Sequence, residues 1–317
     1  MKNNLFSLLG SKYPIIQGAM TIIADTDLVK ASQNAGILGV LGTGRKSTAE
    51  VEKDIEIVKA NNNQSFGMNI MASSPDSLKL ADLAVSSRVP FVTVGDGNAL
   101  QMIRKLNDSN VKAFAIAPSV SVAKAYEEAG ADALIVEGNE AGGHIGRLST
   151  FTLAPQISQA VGVPVIAAGG ISDGNTMAAA FAMGASGVQI GTLFAVSKES
   201  NASLKYKNAI LASRDVDTDI TGISLDSPVR GIRNTFTRKI LKLEDEYVRS
   251  GGMTNEELHD LLKDSLLTAV NGDTVNGSIM AGANSGLIHQ VMPLKDQINQ
   301  LIYEFNQTVN QIRRIEL

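Results

Sequence analysis

Eight short apolar runs, most of them ending in glycine or another small residue, recur along the first two thirds of the chain. They start at Pro14 (PIIQGAM), Ile37 (ILGVLGTG), Phe66 (FGMNIMAS), Phe91 (FVTVGDG), Ala113 (AFAIAPSV), Ala133 (ALIVEGNEAGG), Val163 (VPVIAAGGI) and Gly187 (GVQIGTLF), about 20 to 30 residues apart. Runs of this kind read as strands of a parallel sheet buried on both faces, because alternation vanishes when neither face meets water. The segments between them read as helices. In VSVAKAYEEAGA, apolar residues stand at Val122, Ala125, Tyr126 and Ala129, and Gly130 ends the pattern. Eight strand–helix units close a (β/α)8 barrel, whose chemistry sits at the C-terminal ends of its strands. The alternative, an open doubly wound sheet, carries G-x-G-x-x-G after its first strand. Here the first run ends in QGAMTI, GVLGTGRK lacks that spacing, and no G-x-x-x-x-G-K-S/T occurs. An α/β TIM barrel is the expected fold.

After Phe194 the pattern breaks. Residues 198–273 are more polar, with helical stretches such as NEELHDLLKDSLLTAV and no strand-like repeat. They are expected to form a smaller, mostly helical domain inserted beside the barrel mouth, with the barrel spanning 1–197 and 274–317. The chain returns through GDTVNGSIMAGANSG to a final helix with Leu294, Ile298, Leu301, Ile302, Phe305, Val309 and Ile312 on one face, a core or dimer contact. The net charge of −4 argues against nucleic acid or an anionic membrane surface as a partner. The absence of cysteine removes disulfides, thiolate metal sites and cysteine nucleophiles together. The opening MKNNLFSLLG is too short an apolar run for a signal peptide, and nothing reaches the roughly 20 apolar residues of a membrane span, so a cytoplasmic location is expected.

Two glycine-rich strand ends close the series: AAGGISDG (167–174) and QIGTLF (189–194). In barrels the last two strand ends commonly hold a phosphate, with backbone N–H groups pointing at it and no side chain to hold its oxygens off. A Schiff-base enzyme needs a lysine at a strand end, and none of the runs has one. A metal-assisted enolase-type site needs converging carboxylates, whereas Asp96, Glu137, Glu140 and Asp173 are scattered. No metal site is expected. The strand ends offer small residues, amides and a thioether (Gly18, Ala19, Met20, Asn69, Gln189), a set suited to a flat neutral ring read at its edge. Flavin mononucleotide (FMN) matches both halves, phosphate and ring.

Taken in order, YPIIQGAM, FGMNIM, EGNEAGGHIG, PVIAAGGI, GVQIGTLF, KESNA and GSIMAG resemble the FMN-dependent enoyl-acyl-carrier-protein reductase II (FabK) family. They equally resemble its near relative, the nitronate monooxygenase (2-nitropropane dioxygenase) family. The resemblance runs from about Tyr13 to Gly286. It implies FMN lying against Gly18, Ala19 and Met20 with Asn69 nearby, and Glu137, Gly142 and Gly143 along its side. It further implies Gly169, Gly170, Gly191 and Thr192 at the phosphate, Gln189 beneath the ring and Met280 at one edge. In both families the histidine of the Gly-Gly-His motif is the catalytic one, here His144. The reductase reading adds NADH or NADPH as co-substrate and an enoyl thioester carried on acyl-carrier protein or coenzyme A. A monovalent cation and a homodimer are family expectations as well. One departure touches the choice of activity. Many reductases read Gly-Gly-Met where this chain has Gly18-Ala19-Met20, and many monooxygenases carry another residue at the middle place.

His144 is one of three histidines, and Gly142, Gly143 and Gly146 surround it. Such a wrapping lets a loop lie close to a ligand and present the ring to it. His259, in a charged helix, reads as solvated, and His289 reads as packing. The segment SPVRGIRNTFTRKILKL (227–243) holds Arg230, Arg233, Arg238, Lys239 and Lys242 without a carboxylate, either a solvated face or a contact for an anionic partner.

Overall fold

The computed structural model describes residues 5–61, 65–251 and 256–315. All eight runs are strands. The strands in chain order are β1 (Ile15–Gln17), β2 (Gly39–Gly42), β3 (Phe66–Met71), β4 (Phe91–Gly95), β5 (Lys112–Ile116), β6 (Ala133–Glu137), β7 (Gly143–His144), β8 (Val165–Ala168), β9 (Gly187–Ile190), β10 (Thr218–Thr221) and β11 (Val229–Ile232). Eight of them pair in parallel in the order β1-β9-β8-β6-β5-β4-β3-β2. A parallel bridge between Ile16 and Leu38 joins β1 back to β2 and closes the barrel. The seam is short, and a side chain extends it: Gln17 Oε1 accepts from the Val40 N–H at 3.2 Å while Gln17 N–H donates to Leu38 O at 2.8 Å.

Alternation along each strand sorts the side chains into two layers. Ile16, Leu38, Val40, Phe91, Phe114, Ile135 and Ile166 fill the barrel interior. Met68, Ile70, Val92, Val94, Leu134, Val136 and Val188 point outward into the larger core beneath the helices. Inside, Phe91 and Phe114 stack with ring centroids 4.8 Å apart. Gly67 makes room for them, since a Cβ there would stand 2.4 Å from the Phe91 ring. The lower end is plugged by a short helix, Leu5–Leu8, which the sequence reading does not anticipate; Leu5, Phe6 and Leu9 join the interior cluster. Phe6 lies so close to β9 that a Cβ on Gly187 would meet its ring at 2.3 Å.

Segment 198–273 contributes helices Leu204–Leu211, Thr235–Arg249, Glu256–Leu262 and Ser265–Val270. Its exception is the antiparallel hairpin β10–β11, where no strand is expected from sequence; β7 joins it to make a three-stranded sheet. Phe236, Ile240 and Leu258 form a small core of their own. The basic segment is divided by this architecture. Arg230 lies on β11, Arg233 pairs with Asp219 at 3.2 Å, Lys242 with Glu246 at 3.7 Å, and Arg238 and Lys239 are exposed. The final helix, Leu294–Ile312, buries Leu294, Ile298 and Leu301, and Phe305 meets Phe181 edge-on at 5.5 Å. Its stripe is core for the first three turns, and Ile312 at the end is exposed. Among the described residues no helix is long and apolar enough to cross a membrane.

The plug gives a direct test of the barrel's lower core. Phe6→Ala is expected to cost about 3–5 kcal/mol, as for other buried phenylalanines. Gly187→Ala is expected to destabilise the native background by forcing Phe6 aside, and far less in Phe6→Ala, where the ring is gone. Urea unfolding of the two single variants and the double variant measures this coupling. Additive costs would mean that Phe6 does not occupy the space above Gly187.

Candidate active site

At the upper end the inward positions change character. Where Phe91 and Phe114 fill the barrel below, the last inward residues are Asn69, Thr93, Gly95, Glu137, Ala168 and Gln189. They form the floor of one open cavity of about 1380 Å³. The cavity brings together every residue expected from sequence: Gly18, Ala19, Met20, Asn69, Glu137, Gly142, Gly143, His144, Gly169, Gly170, Gln189, Gly191, Thr192 and Met280 all line it. Thr93 Oγ1 donates to Asn69 Oδ1 at 2.9 Å, and Asn69 O accepts from Thr43 Oγ1 at 2.6 Å. The amide is thereby oriented with its NH2 group left for a ligand.

The β8 and β9 ends supply the other half. Gly169 and Gly170 have φ of +90° and +72°, conformations that side chains disfavour. Asn284 Nδ2 donates to Gly170 O at 2.6 Å and pins the turn from the returning segment. At Gly191 a Cβ would meet only the Met20 thioether, at 3.7 Å, and at Gly143 only that of Met280, at 3.5 Å. Protein does not fill those spaces, and side chains there would enter the cavity. A glycine-lined end, thioethers at the edges and two side-chain amides on the floor fit the phosphate and ring of FMN.

Three of the four scattered strand-end acids are already engaged. The carboxylate of Asp173 caps helix Gly174–Ala182 through Thr176 N–H at 2.7 Å. Glu140 accepts from Thr150 N–H at 2.9 Å and Thr150 Oγ1 at 3.0 Å, holding the start of helix Thr150–Ala160. Asp96 accepts from Ser73 Oγ. Glu137 is the acid left facing the cavity, and burial raises its pKa from 4.5 to about 7.

His144 stands on β7, the exposed arm of the loop that follows β6. Glu140 O accepts from Ala283 N–H at 2.8 Å, which ties this loop to the segment carrying Met280. Tyr206, fully buried, donates from Oη to Met280 O at 2.8 Å, and desolvation raises its pKa. Lys207 is buried beside it, its ammonium donating to Ser197 O and Ser200 O, both at 2.7 Å; desolvation lowers its pKa and Glu199 partly offsets this. Glu199 also accepts from Leu294 N–H at 2.9 Å, so the KESNA motif works as a bracket between barrel and final helix. His289 is exposed and does not line the cavity, against the packing expected of it. The side chain of His259 lies outside the described residues. Four non-glycine residues with left-handed φ, Thr21, Arg45, Asp96 and Asp264, line the cavity, and Arg45 pairs with Asp264 across its mouth. Backbone held in this region concentrates at functional sites.

The nitronate monooxygenase family model matches residues 2–87 and 78–304. The chain belongs to the nitronate monooxygenase family. A Staphylococcus aureus (strain MRSA252) relative named "Probable nitronate monooxygenase" is 34% identical, over 77% of this chain and 82% of its own length. Among solved structures, FabK from Thermotoga maritima superposes with a TM-score of 0.93 at 38% identity, covering 99% of both chains. A nitroalkane oxidase from Streptomyces ansochromogenes superposes at 0.83 with 25% identity, over 95% of this chain and 98% of the other. Members of the family are FMN-dependent oxidoreductases, and this protein is an oxidoreductase of the same barrel fold. Within that family site, sequence reasoning missed Thr43, Thr93, Tyr206 and Asn284, which hold the lining in place. Of these only Thr93 carried a signal: it is a polar residue at an inward position of an otherwise apolar strand.

The raised Glu137 sets a pH dependence. The folded state keeps the proton up to about pH 7, while the unfolded chain releases it near 4.5, so this site costs stability progressively as pH rises between those values. In flavin-stripped protein, Glu137→Gln is therefore expected to raise Tm at pH 8 and to leave it nearly unchanged at pH 4.5. A Tm difference that is the same at both pH values would assign the carboxyl an ordinary pKa.

Proposed function

We propose that the enzyme is an FMN-dependent enoyl-thioester reductase, reducing trans-2-enoyl thioesters with NADH or NADPH in fatty acid synthesis. The observation that carries this reading is the extent of the cavity. At about 1380 Å³ it exceeds the roughly 300–1,000 Å³ of ordinary small-molecule sites. Beyond the flavin floor it continues along Met71, Ile116 and Pro118 at the ends of β3 and β5 and along Leu80, Leu100 and Val122 on the helices that follow β3, β4 and β5. A small nitronate would leave that apolar wall wet. An acyl chain would bury it, at about 0.8 kcal/mol per methylene. The full-length likeness to the FabK structure supports the same reading. Nitronate oxidation on the same flavin is the second reading, favoured by the names of the curated relatives.

Bound FMN would supply the transfer of two electrons as hydride from the pyridine nucleotide to the β-carbon of the enoyl group. Gly169, Gly170, Gly191 and Thr192 would hold its phosphate, and Asn69 and Gln189 would read the ring. The chain's own part is the proton. As hydride arrives at the β-carbon, charge develops on the thioester oxygen, and one proton is needed at the α-carbon. His144 is the group that donates a hydrogen bond to that oxygen or delivers that proton. Gly142 and Gly143 let its loop lie against the substrate. The thioester would arrive on acyl-carrier protein or coenzyme A, with the exposed Arg238 and Lys239 as contacts for an acidic carrier.

Two measurements test this reading. Without oxygen, NADH or NADPH should bleach the protein's yellow colour and an enoyl thioester should restore it. A flavin that neither nucleotide reduces, in a protein that consumes oxygen with alkyl nitronates, would make the second reading correct. His144→Ala should retain FMN and lose about 10²–10⁴-fold in turnover. Turnover close to that of the unaltered enzyme would remove His144 from the mechanism.

A further inference from the structure

Arg230, part of the basic segment in the sequence, does not serve as a surface charge. It is part-buried on β11, and among the described residues no carboxylate pairs with it. Its Nε donates to Asn139 O at 2.8 Å and its Nη1 to Thr218 Oγ1 at 3.0 Å. A cation withdrawn from water onto neutral acceptors gives up solvation without gaining an ion pair, so its return lies in geometry.

Asn139 is the neck of the loop that carries His144. Its N–H donates to Leu148 O at 2.8 Å and its Nδ2 to Arg147 O at 3.2 Å, so both arms of the loop meet there. Further out, the loop rests on β11 through the pairs Val229↔His144 and Arg230↔Gly143, with Ile145 N–H donating to Pro228 O at 3.0 Å. A ladder of two residue pairs is a weak hold on a stretch with glycines at 142, 143 and 146, because glycine has the most backbone freedom to lose on ordering. The Arg230 fork ties the same strand that bears this ladder to the neck of the loop. Movement of the neck would displace the ladder, and with it His144.

We propose that Arg230 is a positioning residue: by clamping the Asn139 carbonyl it holds the His144 loop against the inserted hairpin and over the cavity. The proposal rests on the reading of His144 as the catalytic residue, whereas the clamp itself does not. The two bonds leave from separate nitrogens of the rigid guanidinium, Nε and Nη1, whereas lysine gathers its donors on one nitrogen at the end of a flexible stem, so Arg230→Lys should restore the hold only in part.

The test compares Arg230→Met with Arg233→Met, which removes the same charge just past the end of β11, where the side chain pairs with Asp219 and not with the His144 loop. Trypsin cleavage after the exposed Arg147, followed by mass spectrometry on the FMN-loaded protein, reads the loop without reference to activity. Cleavage there should accelerate about tenfold or more in Arg230→Met, the scale of losing a hydrogen bond to a charged group, and stay unchanged in Arg233→Met. FMN content should be retained, kcat should fall about tenfold and KM should stay within about twofold, since binding surfaces are untouched. Arg230→Lys should lie between. Thr218→Val, which frees only Nη1, should move both readouts in the same direction by less, and it serves if Arg230→Met fails to fold. Cleavage and kcat matching Arg233→Met would overturn the proposal. Faster cleavage with unchanged kcat would also overturn it; if His144→Ala then kept full activity, the fault would lie in the His144 reading.

Discussion

A strand in a closed barrel can point a side chain only inward or outward, and the inward space is small and finite. The structure uses that constraint twice along each strand. Below, Phe91, Phe114 and the incoming Phe6 fill the interior to the density of a packed core. Above, Gly95, Ala168 and the amides of Asn69 and Gln189 leave the last layer incomplete. That incomplete layer is the floor of the cavity. The same alternation that builds the core thus decides where it stops and the site begins.

Around that incomplete layer several polar groups are committed. Thr93 orients Asn69, Thr150 takes up Glu140, Thr176 takes up Asp173, and Asn284 fixes the Gly170 turn. Glu137 is not held in this way: its carboxyl faces the cavity, and desolvation keeps its proton toward neutral pH. The inserted segment adds the remaining wall, pressing β11 against β7 and drawing Met280 alongside through the Gly231–Met280 bridge.

The barrel was legible because fully buried parallel strands are written as continuous apolar runs, and all eight runs are strands. The glycine-lined side of the cavity was legible because glycines at the last two strand ends leave backbone facing open space with no side chain between. What escaped was long-range. Nothing in PVRGI announces a strand, since its apolar residues are few and its partners are the polar β10 and the two-residue β7. The plug helix Leu5–Leu8 is too short for a periodic signal, and its meaning lies in Gly187, far along the chain. Charge counting grouped Arg230 with Arg233 and Arg238, because composition does not tell which face of an element a residue takes. The KESNA motif helped establish the resemblance, and in the structure its Glu199 and the Ser200 carbonyl bonded by Lys207 brace the fold.

The plug also bears on the order in which the chain can acquire its structure. Phe6 and β1 leave the ribosome early, but Gly187 and β9, against which they rest, follow about 180 residues later. Until then β1 has one neighbour at most and the floor under Phe91 and Phe114 is open. The interior seals in a single late event that depends on contacts of great sequence separation, the kind whose loop-closure cost slows folding. A half-barrel of β1 to β6 can form earlier, with bare edges at both ends and an apolar lining exposed. For this protein, the interval between making Ile15 and making Ile190 is the period of greatest exposure to aggregation.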